Sequence, residues 1–234
     1  MVEKNVFRKD YFEEGSYGKQ DASIIQRNYR LLLDYAKTTI PSLNELKLIL
    51  DFGCALGSGT AFLARQFPNA KIIGVDISNY AIEKAKSNYE RDSIDYYCLD
   101  LSNADHVSFL RKKYGGFDLI FTRDTLEHIG FGEQKKILDA LNRLLRRKGI
   151  LVVQTPNKLN PFTHSDITHI GLRSPISWKR LFTMSFREVE VVVRQYVPLL
   201  WQFSENRELL EFHLPIFGYN IYIFAERENN QEVA

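Results

Sequence analysis

The stretch Leu48-Ile49-Leu50-Asp51-Phe52-Gly53-Cys54-Ala55-Leu56-Gly57-Ser58-Gly59-Thr60 constrains the fold more than any other part of the chain. An apolar run ends in an acid and passes straight into a glycine-rich turn, after which Ala61, Phe62, Leu63 and Ala64 open a helix. Such a run reads as a buried parallel strand, because a strand covered on both faces has no polar side to alternate with. Glycines let the turn bring backbone close to a ligand, and the first amides of the following helix face that turn.

The pattern repeats along the chain. Strands are predicted at Lys47–Phe52, Lys71–Val75, Ile94–Cys98, Phe117–Phe121 and Ile150–Gln154. Between them lie a helix ending near Phe67, one capped by Ser78 with Ile82, Ala85 and Tyr89 on one face, a third over Asn103–Tyr114 and a fourth over Gly132–Arg147. A further helix, Ala22–Thr39, carries Ile24, Ile25, Tyr29, Leu32, Leu33 and Ala36 at helical spacing and stops at Pro41. It follows a polar leader, residues 5–20, bearing Tyr11, Phe12 and Tyr17. Strands alternating with helices imply an α/β fold whose parallel sheet is covered on both faces. Two more strand-like segments, Glu188–Tyr196 and Ile221–Arg227, break the alternation, and the last is expected to pair antiparallel.

At 234 residues the chain suffices for one such domain and not for two ordinary ones, so residues 1–234 are expected to form a single domain. Basic and acidic residues number 31 and 29, a balance that offers no large electrostatic surface for nucleic acid. The basic cluster Arg143, Arg146, Arg147 and Lys148 falls in the last turn of a predicted helix, where the helix dipole favours cations. Cys54 and Cys98 form no disulfide framework or metal-binding spacing, which suits a reducing compartment. No apolar run approaches the roughly 18 residues of a membrane span, and the first residues lack the apolar core of a signal peptide; the expectation is a cytoplasmic protein with no membrane contact.

Asp51, Asp76 and Asp100 each fall at the carboxyl end of a predicted strand, where open α/β sheets bind their ligands. There Asp76 could accept both hydroxyls of a ribose, and Asp100 could accept from an exocyclic adenine amine. A nucleoside-containing cofactor is the natural occupant. Asp51 also has a plainer reading, fixing the loop by accepting backbone hydrogen bonds. A dinucleotide-binding turn wants G-x-G-x-x-G for its pyrophosphate. Counted from Gly53 that pattern meets Ala55 and Ser58, and counted from Gly57 it meets Phe62, so neither register fits.

The pattern acid-x-Gly-x-Gly-x-Gly, read here as Asp51-x-Gly53-x-Ala55-x-Gly57, resembles the class I S-adenosylmethionine-dependent methyltransferases over roughly residues 45–157. The resemblance extends to Phe117-Asp118-Leu119-Ile120-Phe121-Thr122-Arg123-Asp124-Thr125-Leu126-Glu127-His128-Ile129, where an Asp opens the strand and Leu-Glu-His follows it. It also covers Gly149–Asn157, ending in Thr155-Pro156-Asn157. It implies a three-layer Rossmann-like sandwich with a seven-stranded, mostly parallel sheet and an antiparallel terminal strand. The implied parts are an N-terminal lid and helix (1–44), a cofactor-binding core (45–157) and an acceptor-side half (158–234). The implied cofactor is S-adenosylmethionine, leaving S-adenosylhomocysteine as product. Its implied contacts are Asp51, Gly53, Cys54, Ala55, Gly57, Asp76, Ile77, Asp100, Leu101, Thr122 and Arg123. Ala55 departs from the usual glycine but stays small.

Methyl transfer from a sulfonium is chiefly a matter of alignment and exclusion of water, and a hydroxyl acceptor gains from a general base. His128 and His169 are the candidates, with His164 beside them, in or before the polar loop 157–175. Asp124, Glu127, His128 and His169 also resemble a divalent-metal set in two relatives. One methylates the terminal 2′-hydroxyl of small RNAs, and the other is an O-methyltransferase of ubiquinone biosynthesis. Carboxylates and imidazoles of this kind could hold Mg²⁺ or Mn²⁺. Leu-Glu-His occurs in many relatives without metal, where the pair shapes the pocket, so a metal is not the favoured reading, and structural packing stands open beside the base. The apolar stretch 198–217 fits a helix on the sheet better than an acceptor pocket or a dimer surface. The expectation is therefore a methyltransferase, a monomer or homodimer, acting on a small-molecule oxygen. A non-catalytic binding subunit and an RNA 2′-O-methyltransferase stand as its rivals.

Overall fold

The computed structural model describes residues 7–15, 17, 21–39, 43–194 and 218–227. The stretch 198–217 and the last two residues of the predicted strand 188–196 lie outside them. Seven strands form one sheet in the order β3-β2-β1-β4-β5-β7-β6, with β1 Leu48–Phe52, β2 Lys71–Asp76, β3 Ile94–Cys98, β4 Phe117–Arg123, β5 Leu145–Pro156, β6 Glu188–Arg194 and β7 Asn220–Glu226. The first five strands pair parallel, whereas β7 runs antiparallel to both β5 and β6, as expected for the terminal strand.

Two helical layers cover the sheet. α2 (Ala22–Thr39), α3 (Ser58–Gln66) and α4 (Asn79–Tyr89) lie on one face, and α5 (Ala104–Tyr114), α6 (Phe131–Leu144) and α7 (Pro175–Phe182) on the other; the short α1 is Lys9–Glu13. Neighbouring strand residues divide between the two cores. Ile49, Ile72 and Leu119 join the first, while Leu50, Ile73 and Ile120 join the second, all fully buried. That is why these strands read as continuous apolar runs. Gly59 allows the closest approach within the first layer, because a Cβ there would fall 2.2 Å from the ring of Tyr29 on α2. The Tyr29 ring in turn stacks on Phe121 of β4, centroids 5.1 Å apart.

The strand order fixes where a ligand can sit. From β1 the chain steps outward through β2 to β3, then returns to β4 on the other side of β1 and steps the opposite way. Connections that leave in opposite directions open a crevice at the carboxyl ends of β1 and β4. At the opposite end, Asp118 accepts the amides of Lys47 at 2.6 Å and Leu48 at 2.8 Å, and pairs with Arg146. The acid that opens β4 thus pins the start of β1.

Arg146 corrects one sequence expectation. α6 ends at Leu144, and only Arg143 of the basic cluster lies in its last turn. Arg146, Arg147 and Lys148 belong to an irregular start of β5, where Leu145 pairs with Phe117, the register then shifts, and Lys148 adopts φ 59° before Gly149. Among the described residues no helix is long and apolar enough to cross a membrane. Replacing Asp118 by Ala leaves two strand amides without their acceptor and is expected to lower unfolding stability by about 2 kcal/mol in urea titration. Because Asp118 is remote from the crevice, ligand affinity measured on the same variant stays unchanged.

Candidate functional site

The crevice is a cavity of about 690 Å³ lined by the ends of β1 to β5, the start of α2, α1 and part of loop 157–175. On its β1–β3 side Gly53, Cys54, Ala55, Asp76, Ile77, Asp100 and Leu101 line the wall. Gly53 has φ 78°, and a Cβ there would meet Thr125 Oγ1 at 2.2 Å, so only glycine lets the loop pass the β4 turn. Ala55, at φ 47°, takes a left-handed conformation that glycine adopts freely, at a cost of roughly 1–2 kcal/mol. Its amide compensates by donating to Asp76 Oδ2 at 2.9 Å, while the Ser78 amide donates to Oδ1 at 2.9 Å. Asp76 therefore clips the glycine loop to the end of β2, and each oxygen keeps a lone pair for a diol. Burial raises its pKa above the usual carboxylate value. Asp100 accepts the Ser102 amide at 2.9 Å through Oδ1, and its own amide donates to His106 Nδ1 at 3.0 Å.

Asp51, Gly57 and Thr122 stand behind this wall. Asp51 is fully buried, accepting the Tyr29 hydroxyl at 2.9 Å and the Thr60 hydroxyl at 2.6 Å. It thus joins β1 to α2 and α3 through side-chain donors, where the sequence suggested backbone ones. Burial pushes its pKa up to about 6 despite both bonds. Gly57 caps α3, its carbonyl accepting from the Tyr96 hydroxyl at 3.3 Å. Thr122 is buried inside β4.

The β4 side gathers the polar groups. Arg123 Nη2 lies 2.6 Å from Asp124 Oδ2, and Asp124 turns the chain at φ 49°. A 3-10 turn, Leu126–His128, then places Glu127 and His128 against the loop. Glu127 is fully buried; Oε2 accepts the Thr155 hydroxyl at 3.1 Å, while Oε1 has no hydrogen-bond partner among the described residues. Burial holds this carboxyl well above the usual range, and Asp124 adds to the effect. The rings of His128 and His169 lie 5.0 Å apart. Glu127, His128 and His169 each bring one donor atom within 4.8 Å of the others. Nδ1 of His128 sits 3.2 Å from the Thr168 carbonyl, and Nδ1 of His169 sits 2.7 Å from the Thr163 carbonyl. A carbonyl only accepts, so each Nδ1 carries hydrogen and each Nε2 keeps the lone pair. Burial, then His169, brings the His128 pKa down to about 4. His164 is exposed, bonded to the Lys158 carbonyl, and outside the cavity.

An aromatic cover closes this end. Phe7 and Tyr11 meet the His128 ring edge-on, at 5.5 and 6.2 Å. Phe12 packs beside Tyr80 of α4, whose hydroxyl bonds Glu13. Tyr17 also lines the cavity, its phenol raised in pKa by burial. The sequence pointed to Tyr11, Phe12 and Tyr17 but not to Phe7, nor to Ile24, Ile25, Asn28 and Tyr29 of α2, nor to Tyr219. Ile24 belongs to the helix's apolar face yet is 41% exposed because it faces the cavity, a distinction that helical periodicity does not carry.

The methyltransferase-domain family profile matches residues 43–186, more than half of the chain. The chain belongs to the class I S-adenosylmethionine-dependent methyltransferases. Trans-aconitate 2-methyltransferase of Methylobacterium radiotolerans is 30% identical over 129 residues, which is 55% of this chain and 45% of that protein. The malonyl-[acyl-carrier protein] O-methyltransferase of Acetivibrio thermocellus is 26% identical over 155 residues, covering 66% of this chain and 50% of that protein. The chain spans about half the length of the curated relatives it matches. A solved S-adenosylmethionine-dependent methyltransferase from Archaeoglobus fulgidus shares its fold at TM-score 0.66 and 17% identity, covering 92% of this chain and 98% of that one.

Replacing Tyr29 by Phe removes one of the two donors that Asp51 holds. The expected loss of stability in chemical denaturation is about 1.5–3 kcal/mol, the range for a buried hydrogen bond to a charged group. A variant as stable as the wild type would remove Asp51 as the tie between β1 and α2.

Proposed function

We propose that the chain binds S-adenosylmethionine against the carboxyl ends of β1 to β3 and directs its methyl group to a hydroxyl of a small molecule seated between β4 and loop 157–175. The convergence of His128 and His169, 5.0 Å apart beneath Phe7 and Tyr11, carries this reading. The residues present suit a nucleoside. Asp76 retains lone pairs for the ribose hydroxyls, Asp100 stands one strand further out for the adenine, and Gly53 allows close backbone contact. S-adenosylmethionine supplies, when bound, a methyl group already activated on a sulfonium. His128 Nε2 takes the proton from the acceptor hydroxyl as that oxygen takes the methyl, and the ring becomes an imidazolium held through its Nδ1 hydrogen. Phe7 and Tyr11 keep water from competing.

Charge supports a small, uncharged acceptor group. Asp76, Asp100, Asp124, Glu133 and Asp166 line the cavity against Arg123 and Lys136, and Arg123 is already paired with Asp124. Such a lining opposes a phosphate backbone, and equally a carboxylate such as the one trans-aconitate offers the relative.

Calorimetric titration with S-adenosylhomocysteine is expected to show binding, and Asp76→Ala is expected to weaken it about 10- to 100-fold, the loss of one or two hydrogen bonds to a charged group. No binding at high micromolar ligand would overturn the cofactor assignment. Replacing His128 by Ala should lower kcat by about 10²- to 10⁴-fold. A base must be unprotonated to act, and His128 protonates only as pH falls through about 4. Hence kcat/KM is expected to stay level from about pH 8 down to about pH 5 and to fall below that. Because Asp51 titrates at about 6, the discriminating result is an acid limb near the ordinary imidazole value, about 6.5, that persists in Asp51→Asn, which would contradict the base assignment.

A second reading rests on Glu127 Oε1, a buried acceptor with no partner among the described residues, close to the two histidines. One carboxylate and two imidazoles form a donor set suited to a divalent transition metal. Prior treatment with EDTA, followed by Mn²⁺, separates the readings. A metal site predicts loss and recovery of activity and a raised melting temperature with Mn²⁺; the base reading predicts no change with either.

A further inference from the structure

Asp166, Thr168 and His128 form a relay whose hydrogen count leaves a single arrangement. The Thr168 hydroxyl has one hydrogen. Its oxygen lies 2.6 Å from Asp166 Oδ1, which also accepts the Thr168 amide at 2.9 Å. A carboxylate oxygen cannot donate, so the hydroxyl hydrogen points to Asp166. The same hydroxyl oxygen is 2.9 Å from His128 Nδ1, with only a lone pair left to offer. His128 must therefore donate to it from Nδ1. Thr168 is buried, and the carboxyl side chain of Asp166 is 15% exposed, so water competes little for either bond.

Without Asp166 the Thr168 hydroxyl is free to rotate and donate to Nδ1. The ring hydrogen would then move to Nε2 and occupy the position that faces the acceptor. The Thr168 carbonyl resists this change but lies further away, at 3.2 Å.

We propose that Asp166 and Thr168 are positioning residues for His128, in which the carboxylate fixes the threonine hydroxyl as an acceptor and thereby holds the histidine with its hydrogen on Nδ1 and its lone pair on Nε2. The inference rests on His128 acting on the acceptor through Nε2, as proposed above. It assigns a purpose to the spacing Asp166-x-Thr168, which places carboxylate and hydroxyl on one turn beside His169. Asp166 Oδ2 also lies 3.9 Å from His169 Nε2, so one carboxylate faces both histidines.

The test is a nitrogen-15 spectrum of the full chain labelled at histidine, taken at neutral pH without acceptor. Ring nitrogens that carry hydrogen resonate far from those that carry a lone pair. Wild type is expected to show His128 with hydrogen on Nδ1. Thr168→Ser keeps the hydroxyl, and Asp166→Asn keeps a side-chain carbonyl that accepts it, so both retain that tautomer. Asp166→Ala is expected to place a substantial share of the hydrogen on Nε2. Both Asp166→Ala and Thr168→Val should lower kcat about 10- to 100-fold with little change in KM for the cofactor, and Thr168→Ser should restore it. Hydrogen on Nε2 in wild type, or an Asp166→Ala spectrum identical to wild type, would overturn the proposal. If Asp166→Ala does not fold, Thr168→Val carries the test through kcat, an unchanged value counting against it; its tautomer stays as in wild type, because valine has no hydroxyl to donate and the carbonyl of residue 168 still accepts from Nδ1. A wild-type ring with the expected tautomer in a protein that binds no S-adenosylhomocysteine would keep the positioning pair and remove the methyl-transfer reading.

Discussion

The reversal of strand order at β1 and β4 governs the rest of this molecule. Because the chain leaves β1 toward β2 and leaves β4 toward β5, no connection covers the carboxyl ends of that central pair. Much of the polar lining is delivered to that gap by strand ends: the glycine loop by β1, Asp76 by β2, Asp100 by β3, the Arg123–Asp124 pair by β4 and Gln154 by β5. The helices contribute mainly by shape, and α2 and α1 close the side that the sheet leaves open.

The gap is also where the chain departs from what stability alone would favour. Asp51 and Glu127 are carboxylates without exposure, and burial raises the pKa of both. Ala55 and Asp124 occupy left-handed backbone conformations. Such costs concentrate at functional sites because the surrounding structure over-determines them. Here the determinants are specific: Tyr29 and Thr60 hold Asp51, and Asp76 holds the amide of Ala55. The two ends of the cavity differ in kind. At the ends of β2 and β3, Asp76 and Asp100 accept backbone amides, which places them firmly, as a constant ligand requires. Near β4 the groups are a buried carboxylate and two imidazoles under aromatic rings, an arrangement suited to proton movement.

Much of this was legible in the residues. The apolar runs 48–52, 71–75 and 94–98 located three strands because a sheet buried on both faces leaves an unbroken hydrophobic signature. Asp76 and Asp100 could be placed on the cavity from their position after those runs. The β5 start could not, since Arg146, Arg147 and Lys148 look like the end of a helix and only the register shift opposite Phe117 shows otherwise. Asp51 reads as a ligand contact in sequence because its partners, Tyr29 and Thr60, are 22 and 9 residues away. Phe7 and Tyr219 escaped notice for the same reason, being brought to the cavity by tertiary structure and not by a local pattern. The histidines could be named but not oriented, because their Nδ1 partners, the Thr163 carbonyl for His169 and the Thr168 hydroxyl and carbonyl for His128, lie 6 and 40 residues away in sequence.

The most direct test is a structure of the protein with S-adenosylhomocysteine. The ribose hydroxyls are expected on the two oxygens of Asp76, the adenine beside Asp100, and the sulfur turned toward the space between His128 and Tyr11. A ligand bound with its ribose away from Asp76, or with the sulfur facing away from His128, would contradict this placement.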